Sequence, residues 1–268
     1  MAVDPTYPVD MNAVVGHADL LFITLDTLRY DAAQAAFEQG ALATLGPHLG
    51  PEGWQERHSP GSFTYAAHCA FFAGFLPTPV HPGPHLRPLA LAFGGATTIG
   101  PRTCVLDGPD IIRGLEARGY HTICIGGTGF FNQRTPLGSD LPGRFAEAHW
   151  HPRLGVTDPE STRHQANLAI ERIRSVDGRV FLFINVSAIH QPNCHYIGAP
   201  TDSLDSHTAA LVYADGALAP LFAAMRQRAP TYAFVMSDHG SAYGEQGHHG
   251  HRCGLDVVYT VPYAEFWL

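Results

Sequence analysis

The chain has 268 residues, of which 45% are hydrophobic, and its formal net charge is −8. The length suffices for one large α/β domain, and we expect a single domain over 1–268 with its core at about 18–268. The negative charge argues against a nucleic-acid partner, because non-specific binding to nucleic acids depends on a basic surface. No apolar run reaches the roughly 20 residues that a membrane-spanning helix needs, so no membrane span is predicted.

Strand-like apolar runs alternate with helix-like segments along the chain. Strands are predicted at 20–25, 103–106, 122–125, 180–186, 232–236 and 264–268. Helices are predicted at 28–39, 65–73, 111–118, 162–175 and 206–228. Because strands that alternate with helices need crossover connections, the predicted fold class is α/β, with a mostly parallel sheet sandwiched by helices.

The N-terminal segment and the cysteines bear on the cellular compartment. Residues 1–12 contain no Lys or Arg, whereas a secretory signal begins with a basic region. The five cysteines, at positions 69, 104, 124, 194 and 253, show no Cys-x-x-Cys spacing, and we expect reduced thiols. These features predict a cytoplasmic protein.

Side chains that commonly bind metals follow two of the predicted strands directly. Asp26 follows the run at 20–25, and Asp238 and His239 follow the run at 232–236. Ligands of open α/β sheets bind at the carboxyl ends of the strands, so these side chains are candidates for one metal site. Asp together with His favours zinc or manganese over calcium. Taken alone, Asp26 could instead cap the following helix, and Asp238 with His239 could form a salt-bridged turn.

Four segments, in this order along the chain, carry a family resemblance. They are the strand and turn at 21–31, the helix at 64–77 that ends in Gly74-Phe75-Leu76-Pro77, the strand at 183–192, and the turn at 237–251. Together they resemble sulfatase-like enzymes of the alkaline phosphatase superfamily. The resemblance spans about 20–266 and implies an alkaline-phosphatase/sulfatase-like α/β core. We expect this core to lack the C-terminal subdomain that many members carry.

The resemblance implies one divalent metal ion, with zinc or manganese favoured, bound by Asp26, Asp238, His239 and Thr64. It also implies that Thr64 is the nucleophile. A Thr hydroxyl is a weak nucleophile, and coordination to a metal lowers its pKa. Thr64 begins a predicted helix, where free N–H groups favour an anion. From the local sequence alone, Thr64 could instead be an ordinary helix N-cap.

Two histidines align with family positions that hold the transferred group or protonate the leaving group. They are His190 and His251, and imidazole suits proton transfer near neutral pH. Each could instead be a solvent-exposed loop histidine. The resemblance also leaves open a second metal site. Its candidate ligands are His195, Asp205, His207, His248 and His249.

The chain departs from classical sulfatases at several positions. Thr64 stands where they carry the Cys or Ser that becomes formylglycine, and the Lys and His that hold sulfate align with Gly127 and Gly129. The second Asp of the metal turn is Thr27. These departures favour the phosphotransfer branch of the superfamily. The segments 78–102 and 130–160 align with nothing in the family and are candidate loops around the site.

The resulting hypothesis is a metal-dependent hydrolase or transferase that acts on phosphate mono- or diesters through a metal-activated threonine. Its substrate would be a small-molecule, lipid or sugar anionic ester. Three alternatives stay open: a sulfatase on the same fold, a catalytically silent module that binds a metal or an anion, and a phosphomutase. The sequence does not predict the oligomeric state.

Overall fold

The computed structural model describes residues 9–74 and 110–268. The predicted strand at 103–106, the end of the Gly-x-x-Pro turn and the candidate loop at 78–102 lie outside these residues.

Strands and helices alternate as predicted in the described part of the chain. The strands are β1 Asp19–Leu25, β2 Gln55–His58, β3 His121–Ile125, β4 Glu147–His149, β5 Val180–Val186, β6 Thr231–Met236, β7 Ala242–Tyr243, β8 His249–Gly250 and β9 Thr260–Trp267. The helices are α1 Met11–Val14, α2 Tyr30–Glu38, α3 Thr64–Ala73, α4 Ile111–Ala117, α5 Pro136–Asp140, α6 Ser161–Arg174, α7 Leu204–Arg228 and α8 Asp256–Tyr259.

Seven strands form one mixed sheet in the order β2-β9-β6-β1-β5-β3-β4. The five strands from β6 to β4 run parallel, whereas β9 is antiparallel to both β6 and β2. The short strands β7 and β8 form a separate hairpin. The mostly parallel sheet predicted from the sequence is therefore confirmed.

Helices cover both faces of the sheet. Alternate side chains of β1 point to opposite faces, so that Leu21 and Ile23 join a core with α2, α6 and α7. Leu20 and Phe22 join a second core, to which α1, α3 and α4 contribute. Every residue of β1 and β5 is buried as a result. This double burial explains why these strands appear in the sequence as continuous apolar runs.

Several element boundaries differ from the predictions. The edge strands β2 and β4 were not predicted, and β9 begins at Thr260 rather than at position 264. Helix α2 begins at Tyr30 rather than at position 28, because its N-cap Arg29 has an extended backbone with φ of −75° and ψ of 144°. A right-handed helix cannot include that conformation. Thr27, two residues earlier, has a left-handed backbone with φ of 67°.

Helix α7 spans 25 residues, and its most apolar window has a mean hydropathy of 1.4. It is long and apolar enough to cross a membrane, but half of that window is buried within the protein. The helix packs mainly on α6 and also on α2. Asp215 on α7 accepts hydrogen bonds from the backbone N–H groups of Thr44 and Leu45, so its role is structural.

Candidate active site

The carboxyl ends of the parallel strands gather the polar side chains that the sequence singled out. Asp26 follows β1, and Asp238 and His239 follow β6 beside it. Thr64 reaches the same edge as the first residue of α3. The edge where ligands of open α/β sheets bind therefore carries all four predicted metal-site residues.

Asp26, Asp238 and His239 converge on one point inside the protein. Each offers a ligand atom within 4.8 Å of the other two, and all three residues are buried. Asp26 Oδ1 and Asp238 Oδ2 have no hydrogen-bond partner. Buried carboxylate oxygens without a partner are costly, and a cation would satisfy both. The donor set thus fits a divalent metal ion.

The two carboxyl groups destabilise each other's charged form. Burial, and then the charge of Asp238, raises the pKa of Asp26 to about 6. Burial raises the pKa of Asp238 to about 7. Burial also lowers the pKa of His239, which favours the neutral imidazole. Because His239 Nδ1 donates to the Gly240 carbonyl at 2.9 Å, its Nε2 carries the lone pair that a metal needs.

The hydroxyl of Thr64 faces this triad. Its Oγ1 lies 3.3 Å from Asp26 Oδ2 and 3.4 Å from His239 Nε2. The N-cap of α3 is Phe63, so Thr64 is not the helix cap that its local sequence allowed. Asp26 does not cap α2 either, since the N-cap of that helix is Arg29. Neither side chain is therefore engaged in capping a helix.

The left-handed turn at Thr27 holds Asp238 in place. Its backbone N–H donates to Asp238 Oδ1 at 3.1 Å. A β-branched residue with positive φ is an unfavourable backbone state that costs about 1–3 kcal/mol and is found mainly at functional sites. Through this hydrogen bond, the turn at the end of β1 positions Asp238, a candidate metal ligand that follows β6.

A buried asparagine, which the sequence analysis did not assign, orients Asp26. Asn185 Oδ1 accepts the N–H of Thr128 at 3.0 Å, which identifies its other side-chain atom as the Nδ2 donor. That Nδ2 donates to Asp26 Oδ2 at 2.9 Å and to Thr24 Oγ1 at 3.3 Å. The sequence signal for this role was the position of Asn185 in β5, whose other residues are all apolar.

His68 continues this hydrogen-bond chain to the backbone of Thr64. His68 Nδ1 lies 2.7 Å from the Thr64 carbonyl oxygen, which can only accept, so Nδ1 carries the hydrogen. His68 Nε2, at 3.0 Å, then accepts the hydroxyl hydrogen of Thr24. Burial lowers the pKa of His68 to about 3, which keeps the ring neutral. Thr24 thus links Asn185 to His68, and each hydrogen bond of the chain has a defined direction.

His190 and His251 lie together beside the triad. The ring centre of His251 is 4.6 Å from that of His239 and 5.5 Å from that of His190. Burial, and then the neighbouring His239, lowers the pKa of His251 to about 3. Both histidines line a pocket of about 270 Å³ that also contains Thr64. The structure therefore places them at the site rather than in a solvated loop.

The second metal site is not assembled in the described part of the chain. Within residues 9–74 and 110–268, the Asp26, Asp238 and His239 triad is the group that brings three such ligand atoms together. His207 Nε2 accepts the backbone N–H of Arg29 at 3.2 Å, and its Nδ1 lies 3.0 Å from the Tyr243 hydroxyl. Both ring nitrogens of His207 are therefore engaged in hydrogen bonds.

Gly127 and Gly129, which align with the sulfate-binding positions of sulfatases, differ in their surroundings. A Cβ atom at Gly127 would lie 2.3 Å from the carbonyl oxygen of Asn185 and 2.7 Å from Ser187 Cβ. A Cβ atom at Gly129 would meet only Asn132 Nδ2, at 3.9 Å. Packing against β5 thus leaves no room for any side chain at position 127, whereas position 129 is open.

We expect Gly127→Ala to destabilise the fold by about 1–3 kcal/mol or more, because the backbone of β5 must shift. Gly129→Ala is the matched control, and its effect should be within about 0.5 kcal/mol. Urea unfolding of both variants measures the two free energies. Equal effects of the two substitutions would contradict the packing described here.

The four cysteines in the described part of the chain, at positions 69, 124, 194 and 253, are free. Cys69 lies on α3, one turn after Thr64. Burial raises the pKa of its thiol to about 12. A thiol that resists ionisation is a poor nucleophile, so Cys69 does not compete with Thr64 for that role.

Comparison with solved structures shows the fold. The periplasmic domain of the phosphoethanolamine transferase EptC from Campylobacter jejuni is 13% identical, with a TM-score of 0.59 over 94% of this chain and 80% of that one. The periplasmic domain of EptC from Escherichia coli, in a complex with zinc, is 10% identical, with a TM-score of 0.61 over 94% of this chain and 74% of that one.

An alkaline phosphatase superfamily protein from Vibrio parahaemolyticus is 15% identical, with a TM-score of 0.58 over 93% of this chain and 60% of that one. No family model matches the chain, and no curated protein matches it. The chain therefore has the fold of alkaline phosphatase superfamily domains, and the resemblance read from its four segments is confirmed at the level of the fold.

Proposed function

We propose that the chain is a divalent-metal-dependent hydrolase or transferase that acts on phosphate mono- or diesters with Thr64 as its nucleophile. The observation that carries this proposal is the position of Thr64 Oγ1, which lies 3.3 Å from Asp26 Oδ2 at the start of α3. The likeness to a phosphoethanolamine transferase domain supports phosphoryl transfer, and the likeness to a zinc complex supports the metal. Zinc or manganese is the proposed ion.

Asp26, Asp238 and His239 would hold the ion, which lowers the pKa of the Thr64 hydroxyl and offsets the charge of the substrate. Thr64 Oγ1, having lost its proton to solvent, attacks the phosphorus in line, and the bond from phosphorus to the leaving oxygen breaks. The free N–H groups in the first turn of α3 and the ring of His251 hold the phosphoryl oxygens. Water, or a second alcohol, then takes the phosphoryl group from Thr64.

His190 is the proposed proton donor to the leaving oxygen. His190 Nδ1 lies 2.5 Å from the carbonyl oxygen of Gln191, so this nitrogen carries a hydrogen. In the first step the ring must be the imidazolium, whose Nε2–H passes to the leaving oxygen and leaves the neutral ring with its hydrogen on Nδ1. His190 also lines the pocket beside Thr64. In the second step the same Nε2 accepts a proton from the attacking water or alcohol.

We expect His190→Gln to lower kcat/KM by about 10²- to 10⁴-fold for diesters with an alkyl or phenyl leaving group. With p-nitrophenolate, which departs without protonation, the loss should be less than about 10-fold, well under the usual range for a lost general acid. A series of aryl and alkyl diesters measures this dependence. The same loss across the whole series would mean that His190 does not protonate the leaving group.

Metal-titrated hydrolysis tests the proposed function. The substrates are p-nitrophenyl phosphate, bis-p-nitrophenyl phosphate and p-nitrophenyl sulfate, and wild type is compared with Thr64→Ala and Asp238→Asn. Phosphate-ester turnover that zinc or manganese restores, and that both variants lose, supports the proposal. Sulfate turnover in its place would favour the sulfatase alternative. Tight metal binding without turnover of any ester would favour the catalytically silent module.

The cytoplasmic location also remains a proposal, supported by the four free thiols in the described part of the chain. The EptC domains that the chain resembles in fold are periplasmic. Cell fractionation with compartment markers separates the two locations.

A further inference from the structure

The pocket that contains Thr64 is also lined by three apolar side chains, Phe130, Leu137 and Val156, and we call this apolar part of the pocket the recess. These side chains come from the segment 130–160, which aligned with nothing in the family. Phe130 packs on Tyr65 of α3, with ring centres 5.5 Å apart. The recess therefore lies directly against the helix that carries the nucleophile.

The wall of the recess is tightly packed. A Cβ atom at Gly138, which lines the pocket, would lie 2.4 Å from Asn132 Oδ1 and 2.9 Å from the carbonyl oxygen of Gly129. Thr135 Oγ1 caps α5 by accepting the N–H of Gly138 at 3.0 Å. The close approach of α5 to the turn at Gly129 therefore fixes the position of Leu137 in the pocket wall.

The charges in the pocket constrain its ligand. None of the described side chains that line it is Lys, Arg, Asp or Glu. A divalent ion would be balanced by the carboxylates of Asp26 and Asp238, and the proton on His190 passes to the leaving oxygen. Among the described lining residues, no fixed positive side chain therefore remains for a second substrate charge. Burying a charged group in the recess without a partner would be unfavourable. The whole pocket, which must also hold the phosphoryl group beside Thr64, is about 270 Å³, so its apolar part admits only a small group such as a short branched alkyl chain.

We propose that this recess binds an uncharged, apolar ester group of a phosphodiester whose phosphorus is attacked by Thr64. The inference rests on the proposed function and adds the substrate class. A phosphodiester carries one negative charge, and its second ester group occupies the space lined by Phe130, Leu137 and Val156.

Two substrates of the same shape test the recess. They are p-nitrophenyl phosphocholine and p-nitrophenyl 3,3-dimethylbutyl phosphate, which share a leaving group and differ by one quaternary nitrogen in place of carbon. With the full chain and saturating zinc or manganese, we expect kcat/KM to be at least about 10-fold higher for the dimethylbutyl ester.

Substitution of Leu137, which is half-buried on α5, links this preference to the recess. Leu137→Asp should remove or reverse the preference, because the new carboxylate pairs with the choline nitrogen. Leu137→Asn has the same shape without the charge, and it should slow the dimethylbutyl ester without helping the choline ester. Val156→Asp provides a second test at a different wall of the recess.

Two results would overturn the inference. One is a wild-type enzyme that turns over the two diesters equally or prefers choline. The other is a preference that neither Leu137→Asp nor Val156→Asp changes. If the metal-loaded enzyme turns over none of these diesters and p-nitrophenyl phosphate is not hydrolysed either, the proposed function itself fails, and the recess proposal falls with it. Hydrolysis of p-nitrophenyl phosphate without turnover of any diester refutes the recess proposal alone. Turnover without discrimination refutes the recess proposal alone.

Discussion

Replacement of Thr64 by Ala should lower kcat on phosphate esters by about 10³- to 10⁶-fold, the range seen when an enzyme loses its nucleophile. The Thr64 hydroxyl lies 3.3 Å from Asp26 Oδ2, inside the protein, where bulk water cannot readily take its place. The substitution removes the attacking atom and leaves the three other proposed metal ligands intact. Steady-state kinetics on bis-p-nitrophenyl phosphate measures the loss.

Thr64→Ser is the matched control for this substitution. Its hydroxyl can occupy the same position at the start of α3, so we expect it to retain measurable activity. Calorimetric titration with zinc should show that Thr64→Ala still binds the metal. Activity within about 10-fold of wild type in Thr64→Ala would show that another group, or water, is the nucleophile.

Asp238→Asn should abolish metal-dependent activity and at the same time stabilise the metal-free protein. Two buried carboxyl groups lie within one ligand shell, and removing one relieves both its burial cost and the repulsion. An Asn side chain keeps the Oδ1 acceptor for Thr27 and His239. We expect the metal-free unfolding temperature to rise by about 2–6 °C at pH 8.

The pH dependence of that gain follows from the direction of the pKa shifts. Burial raises the folded-state pKa of Asp238 to about 7, whereas an unfolded Asp titrates near 3.9. Below about pH 4 the carboxyl is protonated in both states, and its cost is absent. As the pH rises from about 4 to 7, the wild type must either bury the charge or keep a proton, so it loses stability relative to Asp238→Asn.

Thermal unfolding of both proteins in a chelator, across this pH range, measures the difference. Zinc should then stabilise the wild type and have little effect on Asp238→Asn. If metal-free Asp238→Asn is less stable than the metal-free wild type at pH 8, burial of the two carboxyl groups does not carry the free-energy cost proposed here.

The central sheet could be predicted from the sequence because its strands are buried on both faces and lie between helices. The edge strand β2 could not be predicted, since Gln55-Glu56-Arg57-His58 has no apolar residue and is mostly exposed. Its strand conformation comes from antiparallel pairing with β9, which lies some 200 residues away in the chain. The three-residue strand β4 at the other edge is too short to show a pattern.

The positions of Asp26, Asp238 and His239 could be predicted because each lies within three residues of the end of a strand of the parallel sheet. The residues that orient them could not be predicted. Asn185 and Asp26 are 159 residues apart in the chain, and only the pairing of β1 with β5 brings them together. The local sequence around His68 predicts only that it lies in a helix. Its contact with Thr24 depends on how α3 packs against the sheet. Such roles depend on tertiary contacts that have no local signature.

The most direct test of the account is to trap the covalent intermediate. The metal-loaded enzyme is mixed with bis-p-nitrophenyl phosphate and quenched in acid within one turnover, and its peptides are analysed by mass spectrometry. We predict that a phosphoryl group, with its remaining p-nitrophenyl ester, is attached to Thr64 and is absent from Thr64→Ala. Turnover without any adduct on Thr64, or an adduct on another residue, would contradict the assignment of Thr64 as the nucleophile.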